Sequence, residues 1–120
     1  MSSTDRAVRT AGVLIALGAC TLYIVTAAPE PGWIDSGELA VVSHTLGIPH
    51  PTGKPLYVML SRLFTVILPG AYFPLTFLSA LLVASGLVLV AEAARRICGP
   101  KHSAAALLAP LLLALSPLVW

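Results

Sequence analysis

The chain has 120 residues, of which 58% are hydrophobic and 10% are charged, whereas soluble domains contain about 25% charged residues. Residues 10–29, 63–91 and 102–120 contain no Asp, Glu, Lys or Arg. Each stretch approaches or exceeds the roughly 20 apolar residues that cross a hydrocarbon core. This composition predicts an all-α integral membrane protein. It excludes a disordered chain, and a net charge of +2 without a basic run excludes a nucleic-acid-binding surface.

The first apolar stretch, residues 11–28, could be a signal peptide or a transmembrane helix, because Arg6 and Arg9 precede it. Its length of about 18 residues exceeds the 7–15 residues of a signal-peptide core, and Pro29 would directly follow the candidate cleavage site. We therefore expect an uncleaved first helix. The positive-inside rule then places the N-terminus in the cytoplasm and the chain from Pro29 onward outside.

The segment 55–68 is apolar, but its roughly 14 residues are too few to cross a membrane comfortably. If it crossed, the next helix would carry Arg95, Arg96 and Lys101 to the outside, against the positive-inside rule. A position at the membrane interface keeps these cations in the cytoplasm. The sequence thus predicts one membrane domain with spans at about residues 11–28, 74–94 and 103–120 and an outer loop at about residues 29–72.

The chain stops at Trp120 while still apolar, and three short spans are a poor basis for a complete membrane protein. We therefore expect the N-terminal part of a longer, multi-pass protein. Cys20 and Cys98 should lie at different membrane depths, which argues against a disulfide and favours packing roles for both.

The outer loop begins with a sequence that predicts a short amphipathic helix on the membrane surface. Asp35 and Glu38 have the spacing of a capping box, and Gly47 can end the helix in the left-handed conformation. The apolar residues between them have helical spacing, and they are Leu39, Val42 and Leu46. Asp35 and Glu38 either only start this helix or also serve chemistry. His44 lies about 180° around the helix from Asp35 and is expected to face solvent.

A second polar segment, residues 50–57, contains two prolines and a glycine that fix a turn holding His50 and Lys54. Ionisable groups near a membrane are costly unless they are paired or functional. The alternative is that Lys54 and Arg62 extend to lipid headgroups while His50 caps a turn.

Three motifs of the loop occur in order: W-x-DSGEL from Trp33, LGIPHP-x-G-x-PLY from Leu46 and RLF from Arg62. Together they resemble the N-terminus of the transmembrane O-mannosyltransferase family that is related to the enzyme modifying plexin-type ectodomains. The resemblance covers about residues 33–120. It implies a GT-C-like polytopic glycosyltransferase that moves a sugar, with mannose expected, from a polyprenyl-phosphate donor to a protein or glycan acceptor outside the cytoplasm.

In that class an acidic residue of the first outer loop serves the reaction centre. The matching residue is Asp35, so the resemblance implies Asp35 as catalytic base with Glu38 as its catalytic neighbour. An inverting transfer needs a base for the acceptor hydroxyl and a group that stabilises the departing phosphate.

The expected substrate-binding residues are His50, Lys54, Tyr57 and Arg62. Lys54 would meet phosphate as a point charge and Arg62 as a fork. The family more often has an aromatic or small residue at position 54, so the role of Lys54 rests on this sequence alone.

Asp35, Glu38 and His50 could also form a divalent metal site, but no tight metal-ligand motif occurs, and no metal ligand is assigned. The alternative function is a non-catalytic membrane subunit or transporter-like protein that uses the outer loop for docking. Both interpretations predict a multi-pass integral membrane protein, with a bacterial inner membrane as the expected location.

Overall fold

The computed structural model describes residues 3–27, 32, 35–51, 53–99, 102 and 104–116. All regular structure in these residues is helical, which confirms the expected all-α class. The helices are α1 (Ser3–Val25), α2 (Asp35–Thr45), α3 (Pro55–Ile67), α4 (Phe73–Cys98) and α5 (Leu108–Ala114), the last preceded by a 3₁₀ turn at Ala105–Leu107.

Two of the described helices, α1 with 23 residues and α4 with 26, are long and apolar enough to cross a membrane. At 1.5 Å per residue they measure about 35 and 39 Å, compared with about 30 Å for a hydrocarbon core. Helix α3 has 13 residues and measures about 20 Å. Residues 103 and 117–120, at both ends of the expected third span, lie outside the described residues, so that span stays a prediction.

The chain forms two compact units. The first, called here the α1–α4 unit, combines Met1–Val25 with Ala80–Trp120, and the second, the α2–α3 unit, is Thr26–Ser79. The expected outer loop, about residues 29–72, falls within the second unit, although residues 29–31, 33–34 and 52 lie outside the described residues.

The α1–α4 unit packs small residues of α1 against α4. A Cβ atom at Gly12 would lie 3.0 Å from the Cβ of Ala91, so the two helices approach closely at this point. The Tyr23 hydroxyl donates to the carbonyl of Ala114 at 2.5 Å, which satisfies its polar end inside an apolar core. The core residues are Ala16, Ala19, Cys20, Tyr23, Ala80, Leu87 and Ala114.

Both cysteines are free. Cys20 is buried in the core as expected. The expected packing role of Cys98 is wrong, because Cys98 is the last residue of α4 and its side chain is exposed.

The α2–α3 unit is built from two helices that run side by side in the same direction. The hydroxyls of Ser43 and Ser61 lie 2.6 Å apart with both residues fully buried, and the Arg62 guanidinium donates to the carbonyl of His44 at 2.7 Å. Each pair is separated by 18 residues, and a constant separation indicates parallel helices. Residues 46–54 therefore return the chain to the beginning of α2, and the first turns of both helices lie at one end.

The end of α2 differs from the prediction by one residue. Leu46, not Gly47, adopts the left-handed conformation with φ of 54°. The N–H of Gly47 then donates to the carbonyl of Val42 at 3.1 Å, which is the Schellman arrangement. Glycine is still favoured at position 47, because a Cβ atom there would lie 3.2 Å from Thr45 Oγ1. The predicted apolar face is only partly correct, since Val42 is buried but Leu46 is 59% exposed.

Candidate functional site

Three of the expected site residues lie together at the first turn of α2, and we call them the Asp-Glu-His cluster: Asp35, Glu38 and His50. Glu38 Oε1 accepts the backbone N–H of His50 at 2.8 Å, and Glu38 Oε2 lies 2.5 Å from His50 Nδ1. The other ring nitrogen, Nε2, lies 3.9 Å from Asp35 Oδ2. Glu38 therefore holds the imidazole by two hydrogen bonds and turns its second nitrogen toward Asp35.

The predicted capping box is wrong. Asp35 is the first residue of α2, not the residue before it, and the carboxylate of Glu38 is engaged by His50. A hydrogen bond between a carboxylate and an imidazolium is about twice as strong as a neutral one. Glu38 consequently fixes the loop that follows α2, in addition to standing in the first turn of that helix.

The contact between Glu38 and His50 changes the pKa of both groups. The hydrogen bond with the His50 side chain, followed by that with the His50 backbone, lowers the pKa of Glu38 below its ordinary 4.5. The hydrogen bond to Glu38, the charge of Glu38 and the charge of Asp35 raise the pKa of His50 above 6.5. Both shifts favour the charged forms, and a protonated His50 then presents one ring N–H to Glu38 and the other toward Asp35.

A tight turn positions His50. The N–H of Gly53 donates to the carbonyl of His50 at 2.9 Å, and Gly53 has φ of 69°, a conformation that glycine adopts without steric cost. The next residue, Lys54, directly precedes α3 and lies close enough for its charge to act on both Glu38 and His50. The turn predicted from the prolines and glycine is therefore present, although Thr52 lies outside the described residues.

The first turn of α3 adds positive potential beside the cluster. Pro55 occupies the beginning of α3, and within the described residues the N-cap residue Lys54 makes no side-chain hydrogen bond to the free N–H groups of the first turn. The N-terminal end of a helix carries a partial positive charge. Lys54 and this helix end therefore make the surroundings of the cluster attractive to an anion.

Two expected substrate-binding residues are engaged elsewhere in the α2–α3 unit. The Tyr57 hydroxyl lies 3.2 Å from Ser79 Oγ. Arg62 donates to the carbonyl of His44 at the last turn of α2, a favourable place for a cation. The structure thus places Arg62 at the opposite end of α2 from Asp35, and substrate binding by Tyr57 and Arg62 stays a prediction.

His44 was expected to face solvent, and its ring instead turns back onto its own helix. Nδ1 lies 3.0 Å from the carbonyl of Ala40, and the side chain is partly buried. As expected, the structure shows no contact between His44 and Asp35 within the described residues.

Sequence reasoning missed the serines. Ser43 and Ser61 join α2 to α3. The sequence feature that could have indicated this contact is the presence of small polar residues on apolar helix faces, because such residues allow helices to approach closely. Ser36, beside Asp35, has a buried Oγ with no hydrogen-bond partner in the described part of the chain.

A cavity of about 330 Å³ lies next to Lys54, between α3 and the loop of residues 46–54 that joins α2 to α3. Its lining is apolar apart from that lysine. The main lining residues are Leu46, Ile48, Pro49, Lys54, Val58 and Met59.

The described residues contain no group of three His, Cys, Asp or Glu side chains placed to hold a metal ion. Within the Asp-Glu-His cluster, His50 Nδ1 and Glu38 face each other across a hydrogen bond. These donors therefore do not converge on a common point, and we assign no metal ligand.

Comparison with known proteins identifies the family. Residues 35–120 match the family described as the Protein O-mannosyl-transferase TMEM260 N-terminal domain. The chain belongs to this family. The family match begins at Asp35, the first residue of α2, and so contains every expected site residue. The expected O-mannosyltransferase family is confirmed.

A relative extends this finding. Over 58 residues, 48% of the chain, the sequence is 38% identical to the protein O-mannosyl-transferase tmem260 of Dictyostelium discoideum. The matched segment covers 7% of that protein's length. No solved structure matches the chain.

Proposed function

We propose that this chain is the N-terminal part of a multi-pass, GT-C-type membrane glycosyltransferase. The enzyme transfers a sugar, mannose in this proposal, from a polyprenyl-phosphate donor to a protein or glycan acceptor on the non-cytoplasmic side. The observation that carries the proposal is the Asp-Glu-His cluster, which stands at the start of the region that matches the O-mannosyl-transferase family.

The proposed topology places the N-terminus in the cytoplasm, the loop of about residues 29–72 outside, and spans at about residues 11–28, 74–94 and 103–120. The lengths of α1 and α4 support the first two spans. The short α3 suits an interfacial position, and the arginines in the last turn of α4 suit the cytoplasmic side.

Asp35 is the proposed general base. It takes the proton of the acceptor hydroxyl while that oxygen forms a bond to the anomeric carbon of the sugar. The bond between this carbon and the phosphate oxygen breaks, and its electron pair leaves with the phosphate. His50, held by Glu38, keeps its second ring nitrogen 3.9 Å from the carboxylate of Asp35. Glu38 acts through His50 and is a positioning residue.

The donor phosphate is proposed to bind beside Lys54 and the first turn of α3. Both supply positive potential. The adjoining cavity of about 330 Å³ has apolar walls from Leu46, Val58 and Met59, which suit the first units of a prenyl chain. The buried hydroxyl of Ser36 can bind a sugar or acceptor hydroxyl next to the base.

The test is Asp35→Asn in the full-length protein. Losing a general base lowers the rate by about 10²–10⁴-fold, whereas asparagine has nearly the same shape as aspartate and at the first residue of α2 gives up only the interaction of the charge with the helix dipole, about 0.3–1 kcal/mol. The assay measures transfer of labelled mannose from polyprenyl-phosphate mannose to an acceptor protein in membranes.

Membrane abundance and hydrogen exchange of α2 serve as controls for folding. A variant with normal abundance and full transfer activity would rule out Asp35 as the base. That result would favour the alternative of a docking loop in a non-catalytic subunit.

A further inference from the structure

A second cavity, of about 360 Å³, lies within the α1–α4 unit, where the first turns of α1 pass the last turns of α4. One side of it is apolar and the other is charged. Val8, Val13, Val88 and Leu89 line the apolar side, and Arg9, Glu92, Arg95 and Arg96 line the charged side.

Glu92 organises the charged side. Its Oε1 lies 3.1 Å from Arg9 and 2.8 Å from both Arg95 and Arg96. Arg95 also contacts Asp5 of α1 at 3.2 Å. In these contacts between described residues, three guanidinium groups meet two carboxylates, so positive charge is in excess in this network of side chains.

The three arginines differ in accessibility. The side chain of Arg95 is only 17% exposed and braces α4 against α1, whereas Arg9 is 45% exposed and Arg96 is 72% exposed. Arg9 and Arg96 reach Glu92 from different helices. The accessible cations therefore stand at the cavity and are held there before any ligand arrives, which reduces the entropy lost on binding.

The cavity lies where the apolar part of each helix ends. Arg9 is the last charged residue before the uncharged stretch 10–29, and Glu92 is the first after the uncharged stretch 63–91. For helices that cross a membrane, this boundary is the depth of the lipid phosphates. The apolar wall then faces the depth of the acyl chains.

We propose that this cavity binds an anionic phospholipid. The lipid phosphate lies between Arg9 and Arg96, and an acyl chain runs along Val13, Val88 and Leu89. Arginine suits this role because its planar fork binds phosphate oxygens in pairs. Basic pockets between transmembrane helices on the cytoplasmic side, where we place this end of α1 and α4, bind anionic headgroups.

The experiment measures lipid binding to the full-length protein in detergent by native mass spectrometry. The probes are dioctanoyl phosphatidylglycerol, dioctanoyl phosphatidylcholine and glycerol 3-phosphate. The proposal requires the wild-type protein to bind phosphatidylglycerol more tightly than the other two. Equal affinity for the two lipids would overturn the proposal, because it would mean that the cavity does not distinguish an anionic from a zwitterionic headgroup or that other parts of the protein fill it. Glycerol 3-phosphate binding as tightly as the lipid would also overturn it.

Two matched pairs of variants locate the site. Arg96→Gln should weaken phosphatidylglycerol binding about fivefold, the effect of one cationic side chain near a membrane surface, while Glu92 keeps two arginine partners. Arg6→Gln removes the same charge from an exposed residue that does not line the cavity and should leave binding unchanged. Leu89→Trp should weaken phosphatidylglycerol binding, because the larger side chain fills part of the cavity. Leu82→Trp, at an exposed position outside the cavity, should leave binding unchanged. Equal loss in the members of either pair contradicts the assignment.

Discussion

The two buried serines that join α2 to α3 offer a sharp test of how the candidate site is supported. Ser61 has two partners, the hydroxyl of Ser43 at 2.6 Å and the carbonyl of Val58 at 3.1 Å. Both serines are fully buried. Removing either hydroxyl breaks the same hydrogen bond, but the two substitutions leave different groups behind.

The magnitudes follow from that asymmetry. Ser43→Ala leaves Ser61 bonded to Val58, so it removes one hydrogen bond and costs about 1 kcal/mol. Ser61→Ala leaves the Ser43 hydroxyl buried without its partner and costs about 1–3 kcal/mol. Bonding of Ser43 to the carbonyl four residues earlier in α2 would move the cost toward the lower value. The double variant removes both hydroxyls, so its cost should be smaller than the sum of the single costs.

The assay is hydrogen–deuterium exchange of α2 and α3 peptides of the full-length protein in nanodiscs, because the exchange rate follows the equilibrium population of the locally open form. Ser43→Ala should speed exchange about fivefold, and Ser61→Ala by about five- to 150-fold. Ser85→Ala, which removes an exposed hydroxyl bonded to Leu81 in the other unit, should leave these peptides unchanged. Single costs that simply add in the double variant would refute the reasoning.

Three further predictions concern charge, packing and topology. The pKa of His50 should exceed 6.5 in histidine NMR spectra, and Glu38→Gln should lower this pKa. Because folding raises the pKa of His50, the contribution of this residue to stability is complete below pH 6.5. It is lost as the pH rises through the raised pKa. Gly12→Ala should lower the free energy of unfolding by about 1–3 kcal/mol through overpacking. Gly18→Ala, with open space around its Cβ, should raise it by up to about 1 kcal/mol through helix propensity. Equal unfolding temperatures for the two variants would contradict the close helix contact. The exposed Cys98, as the only accessible thiol in a variant otherwise free of reactive cysteines, should react with a membrane-impermeant maleimide only after permeabilisation, and labelling of intact cells would overturn the proposed topology.

The sequence predicts the local features of the α2–α3 unit well, because each depends on residues close together in the chain. Pro51, Gly53 and Pro55 restrict the backbone enough to fix the turn that carries His50. The helix beginning at Asp35 follows from residue type and spacing in the same way. These features require no knowledge of which elements pack together.

The errors arise where distant residues compete for the same group. The spacing of Asp35 and Glu38 indicates a capping box, but His50, twelve residues later, provides a stronger partner for the carboxylate of Glu38. The hydrogen bond from Arg62 to the carbonyl of His44 likewise depends on the parallel arrangement of α2 and α3, and substrate binding by Arg62 stays a prediction. The parallel arrangement depends on how the two helices pack together, and local sequence patterns predict it only weakly.

The contacts of the two units also differ in how much of the chain must exist before they can form. The side-chain hydrogen bonds that hold α2, α3 and the start of α4 join residues at most 22 positions apart. Those that close the α1–α4 unit, from Arg9 to Glu92 and from Tyr23 to Ala114, join residues 83 and 91 positions apart. As the ribosome releases the polypeptide from its N-terminus, α1 is made long before these partners, whereas Asp35, Glu38 and His50 leave the ribosome within 16 residues of one another. The order of synthesis thus makes the residues of the candidate site available to one another before the residues that join α1 to Glu92 and Ala114 have been made.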